Sequence, residues 1–507
     1  MNISPRAEIH ISRLAAALSA SVPHTVLWHT TGINPHVTVY CQETENPMPE
    51  QAIQKKTILP ENKMGTMPVG KLLFSMSVPM MISMLVQALY NIVDSVFVSM
   101  IEESALTAVS LVFPVQALMI SCSVGLAVGI NACLSRALGE KDFQRVNKNA
   151  VNGIFIELVT MLLFLLIGLF LTRPFLHAQT DDASILGYGE QYMHIICCCS
   201  LGLFMEITFE RILQSTGKSV CAMATQLIGA IFNIIMDPIL IFGFFGAPRL
   251  GMAGAAAATV IGQHLAALLA AILNHRVNTE VRIRLRGFRP DRKIIRDIFA
   301  VGLPSVIMQA IGSVMTYGMN QILIAFTPTA TAVFGIYFKI NSIIFMPVFG
   351  LNNGSVPIIA YNYGAQKRKR ILKTIKLSFA AAIIIMSIGC LLFEAIPGMF
   401  FSLFHASENM LAIGVPAFRI IGLSFPFAGV AISCSSVFQA LGKGVYSMIV
   451  SVCRQLLVLL PMAYLLSLTG RLEYIWWSYN IAELVSVLLS VFFLRRIYRK
   501  IIVSIPA

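Results

Sequence analysis

Two aspartates, Asp94 and Asp237, stand in segments otherwise made almost entirely of apolar residues. Each has polar company at helical spacing. Ser83, Gln87, Tyr90, Asn91 and Asp94 follow at steps of four, three, one and three, which at 3.6 residues per turn puts them on one face. Gln226, Asn233 and Asp237 repeat the theme, and Pro238 cannot donate to the carbonyl of Ile234, which loosens the helix beside the acid. Thr259 and Gln263 share a face further on. An ionisable group in hydrocarbon costs at least ~2.5 kcal/mol, so each needs a reason. Asp94, Asn233, Asp237 and Thr259 are hard oxygen donors, suited to Na⁺ or to a proton shared between carboxylates. The competing reading is that such groups only hydrogen-bond helices together, for about 0.6 kcal/mol each. Taken singly, the Gln, Asn and Thr residues fit that reading; two separate acids argue for function.

Glu206 and Glu210 lie one turn apart and could attract a cation, the alternative being a solvated helix end with Glu210 beside Arg211. Gln309, Ser313, Thr316 and Asn320 form a second stripe, neutral throughout. Gln87, Asn91 and Gln309, with Glu206 and Glu210, are the candidate substrate contacts. Lys339, Arg419 and Arg454 are cations in apolar surroundings, expected to pair with acids such as Glu394 or Glu483, or to snorkel. No nucleotide loop, His-Glu-x-x-His or Gly-x-Ser-x-Gly element occurs. An enzyme is not expected, nor a cofactor; energy for any transport has to come from an ion gradient.

Helices must position these groups. The chain has 507 residues, 57% hydrophobic and 12% charged, about half the charge of soluble domains. Apolar segments of spanning length recur at roughly 70–100, 105–135, 149–172, 187–213, 217–244, 251–275, 296–326, 330–360, 371–397, 410–440, 444–468 and 472–495. The ten-residue alternation of a membrane barrel is absent. The formal charge of +13 is a topology signal rather than a nucleic-acid footprint. Arg136, Lys141, Arg145, the run Arg282 to Arg296, the run Lys367 to Lys376 and the tail Arg495 to Lys500 all fall on one side, which predicts two cytoplasmic termini. Residues 1–66 have no spanning run and are expected to be a disordered extension, with Met64 opening a segment that reads as a natural start. The cysteines show no metal or disulfide spacing.

The chain also matches itself at an offset of 225 residues. Pro79 falls on Pro304, Gly125 and Gly129 on Gly350 and Gly354, Gly139 on Gly364, and Gln214 and Gly217 on Gln439 and Gly442. Six spans separate equivalent points, so the repeats run parallel, as in many transporters with a route at the repeat interface. Met319 stands where the first repeat has Asp94, so ion coupling is expected in the first half.

With these residues in view, the chain resembles the multidrug and toxic compound extrusion (MATE) family. The likeness covers about 67–500. It rests on Ser-Val-Pro-Met-Met (77–81), Tyr-Asn-Ile-Val-Asp (90–94), Leu-Gly-Glu-Lys-Asp (138–142), Phe-Asn-Ile-Ile-Met-Asp-Pro (232–238), Gly-Ala-Ala-Ala-Ala-Thr (254–259), Pro-Ile-Ile-Ala-Tyr-Asn-Tyr-Gly (357–364) and Arg-Gln (454–455). The resemblance implies an all-α, two-lobed, V-shaped membrane protein of twelve helices in two parallel six-helix repeats. It would be a plasma-membrane antiporter, monomeric, exporting amphipathic cationic drugs in exchange for H⁺ or Na⁺. Its lobes would span 67–276 and 296–495, joined by a basic loop at 277–295 and followed by a tail at 496–507. The family's coupling residues map to Asp94, Asn233 and Asp237, with Tyr90 and Thr259 beside them and Pro79 at the bend of the first helix. Glu210 matches an acidic position of some drug exporters. Some members place an acid in the seventh helix, where this chain has only Gln309 and neutral neighbours. A flippase for a lipid-linked sugar, from the same superfamily, is the alternative; its cavity would be rich in Arg and Lys. A receptor or scaffold without transport is the other, and buried acids in repeated helices argue against it.

Overall fold

The computed structural model describes residues 61–284, 288–404 and 406–506; most of the extension, 1–60, lies outside them. Every regular element among the described residues is helical. Twelve long helices follow in order: α1 Val69–Ser99, α2 Glu103–Gly139, α3 Phe143–His177, α4 Ala183–Cys198 continued by Leu201–Ser215, α5 Ser219–Phe242, α6 Met252–Val277, α7 Arg292–Ile324, α8 Pro328–Gly364, α9 Arg368–Ala395, α10 Glu408–Gly422 continued by Phe425–Ala440, α11 Gly444–Ser467 and α12 Leu472–Ile497. Nine of the described helices are long and apolar enough to cross a membrane; the bent pairs α4 (44°) and α10 (48°) raise the count to eleven. The remaining expected span coincides with α12, which is not among those eleven. The bends sit at equivalent places in the two repeats. Phe74 is 70% and Phe170 71% exposed, and with Leu391 and Leu488 they belong to an apolar surface that only lipid would cover.

The repeat glycines turn out to be the joints between the halves. A Cβ on Gly125 would lie 2.5 Å from Val306 of α7, and one on Gly350 would lie 2.5 Å from Met81 of α1. Gly129 faces the Ile298 carbonyl and Gly354 faces Ser77 in the same symmetric way. Where α2 and α8 cross, Gly139 rests on the Tyr361 carbonyl and Gly364 on the Arg136 carbonyl. Any side chain there would overlap backbone, so small residues let the helices touch. These joints cluster towards the end of the bundle that carries the basic connections, referred to below as the basic side.

A strap reinforces that end. Residues 61–66, the last of the segment expected to be disordered, contain a helical turn, Lys63–Thr66, capped by the Asn62 side chain. Asn62 Nδ2 also donates to the Thr216 carbonyl of the first half (3.0 Å) and to Glu280 Oε1 of the connecting loop (2.7 Å). From the second half, Asn362 Nδ2 and Arg370 Nη2 donate to the Met64 carbonyl (3.1 and 2.9 Å). Arg370 also reaches the Met67 carbonyl, and Lys367 holds Glu61 and the Gly65 carbonyl. The Met64 side chain is fully buried between them. α1 then runs as one helix through Pro79, which is buried where α1 meets α8.

Candidate ion-coupling site

The first-half acids are brought together by α1, α5 and α6. Asn233 sits between Asp237, one turn on along α5, and Thr259 of α6. The orientation that satisfies both ends turns Nδ2 towards Asp237 Oδ2 (3.3 Å), while Oδ1 accepts from the Thr259 hydroxyl (3.2 Å) and backbone N–H (3.1 Å). Asn233, Asp237 and Thr259 are all buried. Asp94 approaches from α1, near enough to Asp237 for their charges to interact. Its Oδ1 is buried and makes no hydrogen bond among the described residues. Two carboxylates that repel, with an unsatisfied oxygen between helices, form a site that gains from binding a proton or a small cation.

The polar face continues towards the basic side. Gln226 Nε2 donates to Gln87 Oε1 (3.3 Å), tying α5 to α1. Tyr90 lies within electrostatic reach of Glu206, Asp94 and Asp237. Glu206 Oε1 points at Gly229 of α5. Glu210 accepts from the Thr225 hydroxyl (3.3 Å) and is buried rather than lying at a solvated helix end; Arg211 donates instead to Gln214 Oε1 (2.9 Å). Asn91 is exposed, and so is Gln309 on α7. Arg454 of α11 pairs with Glu483 of α12 (2.7 Å), one of the two partners its sequence context suggested. Lys339 and Arg419 are exposed, the former with its ammonium 5.6 Å from the Phe404 ring centre.

Three further groups escaped sequence reasoning. Tyr192 of α4 is buried, beside Gln116 of α2 and within reach of Asp94. Glu157 of α3 is fully buried, with neither carboxylate oxygen hydrogen-bonded among the described residues and Ser123 alongside. A Glu in an apolar run was a visible signal for Glu157; Tyr192 and Gln116 had none beyond their polarity.

A family model for MatE matches this chain twice, over residues 79–239 and 304–465. The two matches begin at Pro79 and Pro304, the pair that opens the internal repeat. The chain belongs to the MatE family. Among the relatives of this MatE chain is the multidrug export protein MepA of Staphylococcus haemolyticus, 27% identical over 426 residues, covering 84% of this chain and 93% of that protein. A crystal structure of MATE in complex with MaL6 superposes with a TM-score of 0.80 at 25% identity, over 86% of this chain and 97% of that one. An outward-facing multidrug resistance MATE transporter of the MOP superfamily shares the fold, with a TM-score of 0.80 at 24% identity over 86% and 98%. This protein is therefore a multi-pass membrane transporter of the MATE fold, a family that moves small compounds and performs no enzymatic reaction.

Proposed function

We propose that this MatE protein is a secondary active multidrug antiporter that exports amphipathic organic cations in exchange for H⁺ or Na⁺. The observation that carries the reading is Asp94, which has a buried, unsatisfied carboxylate oxygen and lies within charge interaction of Asp237 in the Asn233–Asp237–Thr259 group. The coupling ion enters there, with Tyr90 at its edge, and neutralises the repulsion between the two acids. α1 then bends near Pro79, where no backbone N–H ties the helix to the preceding turn. The drug's cationic group is held by Glu206 and Glu210, with Gln87, Asn91 and Gln309 as neutral contacts. The basic side faces the cytoplasm of a plasma membrane, both termini lie there, and the protein works as a monomer. Its lobes are 67–276 and 296–495, the loop 277–295 joins them and the tail is 496–507. A pyrophosphate-handling flippase gains no support from an acidic first-half interior.

Asp94→Asn in everted vesicles should abolish ion-driven accumulation of ethidium; unchanged accumulation would falsify the assignment. Drug-stimulated pH change in proteoliposomes, measured with and without Na⁺, identifies the ion.

A further inference from the structure

The second half has its own line of ionisable and polar groups, which the first-half site does not use. On α12, Tyr479, Glu483, Ser486 and Ser490 follow at steps of four, three and four and so share one helix face. That face is turned inward: Tyr479 is 7% exposed, Glu483 8%, and both serines 0%, while Leu484 and Leu488 on the opposite face are 52% and 63% exposed. All four carry a buried polar atom with no hydrogen-bond partner among the described residues: the Tyr479 hydroxyl, Glu483 Oε2, Ser486 Oγ and Ser490 Oγ. Buried polar groups are as a rule hydrogen-bonded; single orphaned hydroxyls occur elsewhere, as at Ser83, Ser123 and Ser378, but on α12 four such groups share one helix face.

Glu483 uses only its other oxygen, accepting from Arg454 Nη1 at 2.7 Å. Arg454 lies in the π-helical stretch Cys453–Leu459 of α11, the kind of local widening often found at functional sites. The other ionisable groups facing Glu483 are Tyr337 of α8 and Tyr479, whose rings lie 5.7 Å apart. Arg419 of α10 is exposed. The repeat register puts Glu483 beside the position of Thr259 in the first half, and Arg454 at that of Gly229, on the same inward faces.

We propose that Glu483 is a second proton-binding residue and that Ser486 and Ser490 carry its proton towards the basic side. The proposal rests on the antiport reading and deepens it. Burial this complete leaves no room for a hydrated cation or a drug, whereas a hydroxyl both donates and accepts and so relays a proton. With the basic tail on the inner side as proposed, α12 runs inward from Leu472, so Tyr479 lies on the entry side of Glu483 and the serines lie on the exit side. A proton from outer water binds Glu483 Oε2, turning carboxylate into carboxylic acid and leaving Arg454 without its counter-charge. No two of Glu483, Ser486 and Ser490 are hydrogen-bonded to each other, so the proton departs through intervening water to the Ser486 hydroxyl. That group passes its own proton on, again through water, to Ser490 and thence to inner water. Only O–H bonds form and break, and Arg454 keeps its charge throughout.

The test is the number of protons moved per tetraphenylphosphonium ion in proteoliposomes, read with an internal pH dye and a probe electrode. Glu483→Gln should lower the ratio by one while probe transport continues, and Ser486→Ala/Ser490→Ala should slow proton movement several-fold without changing probe affinity. An unchanged ratio in Glu483→Gln overturns the proposal. Where Glu483→Gln fails to fold, the doubly neutral Arg454→Gln/Glu483→Gln replaces it. Its ratio must also fall by one, and the wild-type ratio there overturns the proposal. Probe-driven Na⁺ flux without proton movement in the unmodified protein overturns the Glu483 proposal and leaves antiport standing. Absence of any ion-driven probe transport overturns the antiport reading and this proposal with it.

Discussion

Asp94, Asp237 and Glu157 are all carboxyls inside the first half, yet their surroundings separate them. Asp237 has an amide neighbour that is itself anchored on Thr259, and Asp94 leaves one oxygen unsatisfied beside it. Glu157 has no such constellation; both its oxygens are orphaned. A buried polar group without a partner costs about 1–3 kcal/mol by mutational measure. Glu157→Met, similar in volume and apolar, should therefore raise thermal stability in detergent by about that amount while drug export is retained. A drop in export with the fold intact would make Glu157 part of the transport machinery instead. The acids at 94 and 237 were legible because a charge at helical spacing from Asn and Gln is conspicuous in an apolar run. Which amide face meets which oxygen was not, because that depends on how α5 and α6 are rotated against each other.

At the scale of the element, symmetric joints and the strap govern movement. Gly139 and Gly364 let α2 and α8 cross at backbone contact, so Gly139→Val must push the crossing apart. Overpacking of this kind costs about 1–3 kcal/mol. The variant should lose thermal stability and export activity, while Gly187→Val, at a position with nothing within 4 Å, should behave as wild type in the same assays. The strap adds a pH dependence. A hydrogen bond from Lys367 holds the Glu61 carboxyl below its ordinary value of 4.5. An acid whose pKa is lowered by its partner contributes stability above its free value and loses it as the pH falls through the lowered one. Deuterium exchange of residues 61–67 should thus be slow at neutral pH and quicken below about pH 4.5. Glu61→Gln should remove that quickening; exchange that ignores the substitution would take Glu61 out of the strap's hold.

For the molecule as a whole, charge and apolar surface set how it sits in a bilayer. The basic connections gather at one end of the bundle, and many Phe and Leu side chains along its helices are exposed. In a chain whose native cysteines have been replaced, Arg289→Cys should react with an impermeant maleimide only after cells are permeabilised, and Thr180→Cys should react in intact cells. The reverse pattern would invert the proposed topology and with it the direction of transport. The two halves also divide labour less sharply than their sequences imply. The α7 stripe is neutral, yet the second half encloses the Arg454–Glu483 pair, so both halves hold charge within the membrane.

By itself, the sequence determined the class, the repeat and the acids. Hydropathy decides what enters a bilayer, a fixed offset of 225 residues betrays a duplication, and a charge among apolar residues needs no partner in view to be noticed. The family likeness followed from short motifs along the same stretches. Only the tertiary structure decided that the repeat glycines are contacts between halves, that Glu210 is buried, that Arg454 chooses Glu483, and that residues 61–66 strap both halves together. The reason is physical. Periodicity tells which face of a helix a residue occupies but not what that face meets, and contacts across hundreds of residues depend on helix rotation and crossing that no local pattern encodes.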